Sequence, residues 1–102
     1  MYSYVNICIH FSLKKVVNYK QGDFMSEMFL DSKIVGDAIA YFRKKKGVSQ
    51  EVLSGLSAIG RTHLSAIERG TRKPTLETLY RISCALNVSM SDIVLEIEKR
   101  LK

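Results

Sequence analysis

The chain of 102 residues is 46% hydrophobic, which suits one compact core and leaves too little for a second independent domain. Its apolar runs are interrupted well before the roughly 20 residues that cross a bilayer, and it opens without a secretion signal, so we expect a cytoplasmic protein without membrane contact. The formal net charge of +6 favours an anionic partner, and between residues 41 and 73 eight Arg or Lys stand against two acidic residues.

Residues 1–30 are predicted to form an N-terminal extension outside the domain. Apolar and polar residues alternate over Val5–Lys14, a period of two that indicates a strand. The strand would pair with its twin in a dimer or remain a loosely attached arm. A third hypothesis is that the start is mis-assigned. Codons for Gln21–Asp23 can contain AGGAG, a bacterial ribosome-binding sequence, so the protein would begin at Met25 or Met28.

Residues 31–102 are predicted to form the domain, as five helices separated by Gly and Pro. Ser32 is the expected N-cap of the first helix. Lys44–Lys46 suit the negative end of its dipole, and Gly47 supplies the left-handed residue that ends it. One face of this helix is apolar at helical spacing, through Val35, Ala38, Ile39 and Phe42.

Two short helices follow, each too short to be stable without packing. Ser49 is the expected N-cap of the second helix, whose apolar residues are Val52, Leu53 and Leu56. After a break around residues 57–60, the third helix covers about Arg61–Arg69 and ends at Gly70. Its inward residues are Leu64 and Ile67.

Two longer helices complete the domain. The fourth is capped by Thr75 and ends at Asn87, and its inward face consists of Leu79, Ile82, Ser83 and Leu86. Ser89 and Asp92 have capping-box spacing and open the fifth helix. Most of its apolar stripe is expected in the core, while its far end can serve a partner subunit. The stripe consists of Met90, Ile93, Val94, Ile97 and Leu101.

Two short helices joined by a tight turn, the second followed by Gly, have the spacing of a DNA-binding helix-turn-helix. The sequence here resembles the lambda-repressor-like (Cro and repressor, xenobiotic-response-element) family. Three strings carry the resemblance: SQExL from Ser49, RTxLSxIERG from Arg61 and RKPTLETL from Arg72. The resemblance runs from about Ile34 to Val94 and implies an all-α, five-helix, lambda-repressor-like DNA-binding domain behind the extension. In size and architecture the chain also resembles restriction-modification controllers and phage-type repressors.

The resemblance makes the third helix the recognition helix, which lies in the major groove. The residues then expected to face the bases are Arg61, Thr62, Ser65 and Ala66. Arg61 is the strongest candidate, because its guanidinium can bond O6 and N7 of one guanine together, with a phosphate contact as the alternative. Thr62 and Ala66 can offer only a methyl or a single hydroxyl.

The resemblance also implies backbone contacts and a brace. A Gln at the start of the second helix contacts a DNA phosphate in this family and braces the recognition helix, and Gln50 occupies that place. Arg43 and Glu68 occupy the positions of a partly buried ion pair, which we interpret as structural. Further phosphate contacts are expected from His63, Arg69, Arg72 and Lys73.

The sequence departs from the family pattern around the second helix. Ala58 stands where the turn usually has Gly, and Ser57 stands where Leu is frequent. Ser54 replaces a common Ala, and Gly55 adds flexibility. These changes are expected to soften the packing of the second helix and to alter the angle of the recognition helix.

Catalysis is not expected from the residues present. The two His lie in unrelated places, and the chain has no Gly-rich phosphate loop and no carboxylate pair placed in a plausible cleft. Cys8 and Cys84 are too far apart in sequence for a disulfide framework or a metal motif. We therefore predict no metal, no cofactor and no small-molecule ligand.

The predicted function is transcription regulation, as a repressor or autoregulator, through sequence-specific binding of double-stranded DNA at the nucleoid. One recognition helix covers few bases, so a homodimer on a pseudo-palindromic operator is expected. The fifth helix is the predicted interface, through Ile93, Val94, Ile97 and Leu101. The alternative is an antitoxin or another protein-interaction module that uses the same fold.

Overall fold

The structure is a computed structural model that describes residues 28–101. The predictions for residues 1–27, namely the strand or arm and the mis-assigned start, lie outside the described residues, as does Lys102. Within the described part no residue is in a strand. This part forms five helices, α1 (Ser32–Lys45), α2 (Gln50–Ser57), α3 (Arg61–Arg69), α4 (Leu76–Leu86) and α5 (Met90–Leu101). The prediction of an all-α, five-helix domain is confirmed.

Three of the predicted caps form in the structure. The Ser49 hydroxyl accepts from the N–H of Val52 at 3.1 Å, and the Thr75 hydroxyl accepts from the N–H of Thr78 at the same distance. Before α5, the N–H of Ser89 donates to the Asp92 carboxylate at 3.1 Å and the N–H of Asp92 donates to the Ser89 hydroxyl at 3.0 Å. These side chains satisfy N–H groups that have no partner inside their helices.

The N-cap of α1 is Asp31, so the prediction of Ser32 is wrong. Asp31 has an extended backbone (φ −69°, ψ 119°), and its carboxylate accepts from the N–H of Lys33 at 2.9 Å. Ser32 is already the first helical residue. Both residue types are good caps, and an Asp adds a negative charge at the positive end of the helix dipole.

Four residues with positive φ follow the ends of helices. Gly47 and Gly70 adopt φ of +73° and +82°, and Asn87 adopts +56°, as predicted from the sequence. Ala58 ends α2 with φ of +59° and ψ of +38°. A Cβ in the left-handed region is strained by roughly 1–2 kcal/mol, which the usual Gly of this turn avoids.

The core contains residues from all five helices. Ile39 of α1, Leu53 of α2 and Ile82 of α4 are fully buried. The remaining members of the buried apolar cluster are Val35, Ala38, Leu64, Ile67, Leu79, Leu86, Ile93 and Ile97. Phe42 and Leu101 are partly buried and pack against this cluster. Helix α3 packs mainly against α1 and α2 in this arrangement.

The buried face of α2 is only partly apolar. Leu53 is buried, but Val52 is 48% exposed and Leu56 is 61% exposed. Ser54 and Ser57 are buried instead, and their hydroxyls donate to carbonyls of the same helix: Ser54 Oγ to Glu51 O at 2.9 Å, and Ser57 Oγ to Leu53 O at 2.6 Å. Because only one large apolar residue of α2 enters the core, its packing is weaker than that of a fully apolar face.

Backbones of α1 and α3 approach each other closely at Gly36. A Cβ at this position would overlap the carbonyl oxygen of Ile67 and would lie 2.6 Å from that of Glu68. Every side chain larger than hydrogen would push the two helices apart. Gly36 therefore sets the distance between α1 and the C-terminal end of α3.

Candidate nucleic-acid interface

Helix α3 has a buried side and an outer side. Leu64 and Ile67 have no exposed surface, which places them inward. Arg61 and Thr62 are exposed at the start of the helix. Ser65 and His63 are half-buried beside them. Two of the four predicted base-reading residues are thus fully accessible and a third, Ser65, is partly so.

Ala66, the fourth predicted base-reading residue, is less accessible than the other three. It is only 7% exposed, and its carbonyl oxygen accepts from the N–H and the hydroxyl of Thr71 at 3.0 and 3.1 Å. These two bonds join the loop after α3 to the backbone of Ala66 and do not involve its methyl group. Little of Ala66 is exposed, and its contact with the bases stays a prediction.

Arg69 extends the outer side toward the end of α3. It lies two turns from Thr62 along the helix and is exposed. Its Nη1 donates to Ser65 Oγ at 3.2 Å, so the two predicted DNA contacts are linked before DNA arrives. Arg72 and Lys73 follow Gly70 and are also exposed. The four cations Arg61, Arg69, Arg72 and Lys73 thus belong to one helix and the loop that leaves it.

The brace behind α3 is built from three polar side chains. Arg43 donates through Nε to Glu68 Oε2 at 2.7 Å and through Nη2 to Oε1 at 2.9 Å. Its Nη1 donates to the carbonyl of Val48 at 2.9 Å. Gln50 Nε2 donates to Glu68 Oε1 at 2.9 Å. Glu68 on α3 is therefore tied to α1 and to the first residue of α2, while Arg43 ties α1 to the loop before α2.

The ion pair in this brace is largely withdrawn from water. The side chains of Arg43 and Glu68 are only 11% and 6% exposed. The hydrogen bonds to Glu68 raise the pKa of Arg43, so the guanidinium stays charged. Gln50 uses one amide N–H on Glu68 and retains a second, because a side-chain amide carries two donors. Gln50 can therefore brace α3 and still donate to a phosphate.

Helix α5 differs from its predicted role. Ile93 has no exposed surface and Ile97 is 6% exposed, so both are core residues of their own subunit. Leu101 packs against the same core. Burial against α1 and α4 leaves Ile93 and Ile97 almost no free surface for a dimer contact, whereas Leu101 is only partly buried and its dimer contact stays a prediction. Val94 is 36% exposed and stays a candidate.

An apolar surface on α4 was not predicted from the sequence. Leu76 is 74% exposed and Tyr80, one turn later, is 56% exposed. With Met90 of α5 they line an open groove of about 560 Å³, which Glu77 and Arg81 flank. Helical spacing places Tyr80 outside the stripe of inward residues on α4, but Leu76 stands seven residues before Ser83, so its exposure does not follow from spacing.

Two further properties concern the described residues as a group. None of the helices formed by residues 28–101 is long and apolar enough to span a membrane. The same residues contain no cluster of three or more His, Cys, Asp or Glu that could hold a metal ion.

Comparison with known proteins places this geometry in a family. A helix-turn-helix family model, HTH_3, matches residues 39–93. The HTH-type transcriptional regulator y4dJ of Sinorhizobium fredii is 42% identical over 62 residues, which are 61% of this chain and 80% of that protein. Control protein C.SmaI of Serratia marcescens is 34% identical over 67 residues, which are 65% of this chain and 80% of that protein.

Solved structures are similar over the same region. The restriction-modification controller protein C.AhdI from Aeromonas hydrophila aligns with a TM-score of 0.61 and 29% identity, covering 64% of this chain and 98% of that one. The clp gene regulator ClgR from C. glutamicum aligns with a TM-score of 0.68 and 30% identity, covering 72% of this chain and 96% of that one.

Proposed function

We propose, on the premise that this chain belongs to the helix-turn-helix family HTH_3, that it regulates transcription by binding double-stranded DNA at specific sequences. The single observation that carries the proposal is the two-sided character of α3. Its outer side presents Arg61 and Thr62, while Glu68 on its inner side is fixed by Arg43 and Gln50. A helix held this rigidly and exposed on one side suits insertion into a major groove.

The outer residues divide into two roles. Arg61 stands in the first turn of α3, where a guanidinium can read a guanine, and Thr62 and Ser65 offer hydroxyls beside it. Arg69, Arg72, Lys73, Gln50 and His63 are proposed as phosphate contacts, which set the register of the domain without reading sequence. The names of the relatives, an HTH-type transcriptional regulator and a control protein, support a role in transcription regulation. We propose that this role is that of a repressor or autoregulator located at the nucleoid.

The functional unit is proposed to be a homodimer. Two recognition helices about 34 Å apart would read the half-sites of a pseudo-palindrome. The homodimer is supported by the exposed apolar groove of Leu76, Tyr80 and Met90. This groove continues toward Val94, one turn along α5 from Met90. Glu77 and Arg81 pair with each other at 2.9 Å beside it. A two-fold axis can exchange such a pair between subunits, since each copy presents both charges.

The test is a binding titration with two duplexes, one selected by the wild-type protein from a random-sequence library and one scrambled. We expect the selected duplex to bind about 10³-fold or more tightly than the scrambled one. Arg61→Ala should reduce this preference by about 10-fold to 100-fold, the value of one bidentate base contact. Arg72→Ala should weaken both duplexes by the same factor and reduce the slope of log affinity against log salt by about 0.9.

Lys99→Ala provides the matched control, because Lys99 is an exposed cation on α5, outside the helix-turn-helix. Its loss should leave the preference and the salt slope close to those of the wild type. Equal weakening of both duplexes by Arg61→Ala would reassign Arg61 to a phosphate. Equal affinity of the wild-type protein for both duplexes would contradict sequence-specific binding.

A further inference from the structure

The N-terminal turn of α1 lies against the end of the recognition helix. Gly70 ends α3 with φ of +82°, and a Cβ at this glycine would lie 2.7 Å from Cα and 2.9 Å from N of Lys33. Gly70 and Thr71 separate the last residue of α3 from Arg72 and Lys73. Lys33, which no motif of the sequence singles out, is thereby placed beside the cations of the candidate interface.

The side chain of Lys33 is held by a weak partner. Its Nζ lies 2.8 Å from Asp37 Oδ1, one turn along α1, and the two side chains are 59% and 41% exposed. An exposed ion pair at this spacing contributes little free energy, because water and salt screen both charges. Moving the Lys33 ammonium from Asp37 to an anion that binds it more strongly therefore costs little free energy.

We propose that Lys33 is a further phosphate-binding residue of the interface, and that Asp37 holds its ammonium in place until a DNA phosphate displaces the carboxylate. This inference rests on the proposed function. The phosphate oxygens of a DNA duplex are negatively charged and accessible to cations. Each Lys or Arg that binds a phosphate releases counterions condensed on the DNA. Asp37 competes with the phosphate for Lys33 and also repels it, so the carboxylate weakens DNA binding.

The proposal predicts opposite effects for the two partners. Lys33→Ala should weaken a scrambled duplex and the selected duplex by the same factor and should reduce the salt slope by about 0.9. Lys33→Gln should do the same while it retains most of the side-chain length. Asp37→Asn should strengthen binding to both duplexes a few-fold at low salt.

The matched control is the pair Arg100 and Glu96 on α5, which has the same spacing and a distance of 2.9 Å between Nε and Oε2. Arg100→Gln and Glu96→Gln change the net charge by the same amounts as the test variants. They should leave the salt slope unchanged. An equal response from the two pairs would show a general effect of net charge and would overturn the proposal.

Lys33 also lies near the negative end of the α3 dipole, so urea unfolding is measured on each variant. A purely structural role would lower the unfolding midpoint of Lys33→Gln and leave the salt slope at the wild-type value, which would overturn the proposal. A loss of affinity confined to the selected duplex would also overturn the proposal. If Arg72→Ala reduces the slope while Lys33→Gln does not, this inference fails and the proposed function stands. If the wild-type protein binds neither duplex, both fail.

Discussion

Helices α3 and α5 are both amphipathic, and the sequence assigns each a contact with a partner, DNA for α3 and a second subunit for α5. In α3 the inward residues Leu64 and Ile67 are buried and Arg61 is exposed, in agreement with the pattern. In α5 the residues chosen for the partner, Ile93 and Ile97, are buried in their own subunit. An apolar stripe thus predicts burial, but it does not predict which surface covers the stripe.

The difference arises from the type of residue that marks each outer side. Cations and hydroxyls mark the outer side of α3, and such groups stay in water or bind a polar partner. The proposed partner surface of α5 was marked by apolar residues alone, which any neighbouring helix can cover. Helices α1 and α4 cover most of this stripe, while Leu76 and Tyr80 on α4 remain exposed.

The largest expected effect separates core from interface in α5. Ile97→Asp should unfold the domain, because a carboxylate replaces a buried side chain and the loss exceeds about 4 kcal/mol. Leu76→Asp should leave the fold intact, since Leu76 is 74% exposed and an acidic residue suits the first turn of a helix. It should instead shift the subunits toward monomer.

Circular dichroism and sedimentation velocity distinguish these outcomes, with Leu56→Asp on the exposed side of α2 as the control for an added charge. A folded monomeric Ile97→Asp variant would return Ile97 to the dimer interface. A Leu76→Asp variant that dimerises as strongly as Leu56→Asp would exclude the α4 groove as that interface.

A smaller effect is expected on the α3 side of the comparison. Glu68→Ala should lower the free energy of unfolding by about 3 kcal/mol, because Arg43 would keep a buried charge without its carboxylate. Gln50 would lose its acceptor as well. Urea unfolding measures this loss. Glu68→Gln, which retains an acceptor oxygen, is the control, and its free energy of unfolding should fall by less.

DNA binding of these variants is then measured where both are fully folded. We expect Glu68→Ala to lose preference for the selected duplex, since α3 is no longer fixed to α2. Unchanged stability in Glu68→Ala would mean that packing alone holds α3, as it holds α5.

The sequence predicted the helices well because their ends carry local signals. Capping hydroxyls, left-handed residues and the spacing of apolar residues act within a few positions, so Ser49, Gly70 and Asn87 were assigned correctly. The choice of Ser32 over Asp31 failed because two good caps are adjacent. Fold class and element order depend on such signals and were accessible from the sequence.

The details of the site depend on contacts that are distant in sequence. Ala66 is only 7% exposed, which the spacing of apolar residues in α3 did not predict. Lys33 lies against Gly70 because Gly36 and Gly70 allow α1 and α3 to approach. A Gly inside a helical pattern does not by itself signal such an approach, since Gly55 inside α2 has no neighbouring atom within 4 Å of an added Cβ.

The smallest expected effect concerns the turn that leads into α3. Ala58 has φ of +59°, so Ala58→Gly should raise the free energy of unfolding by about 0.5–1 kcal/mol, the strain relieved less the extra freedom of the unfolded glycine. Asn87→Gly, at φ of +56°, is the control with a smaller expected gain, because Asn tolerates this conformation. Urea unfolding measures both. A gain in stability with unchanged preference for the selected duplex would mean that the brace of Glu68, rather than the turn, fixes the angle of α3. A loss of preference in Ala58→Gly would mean that the strained turn helps to aim the helix.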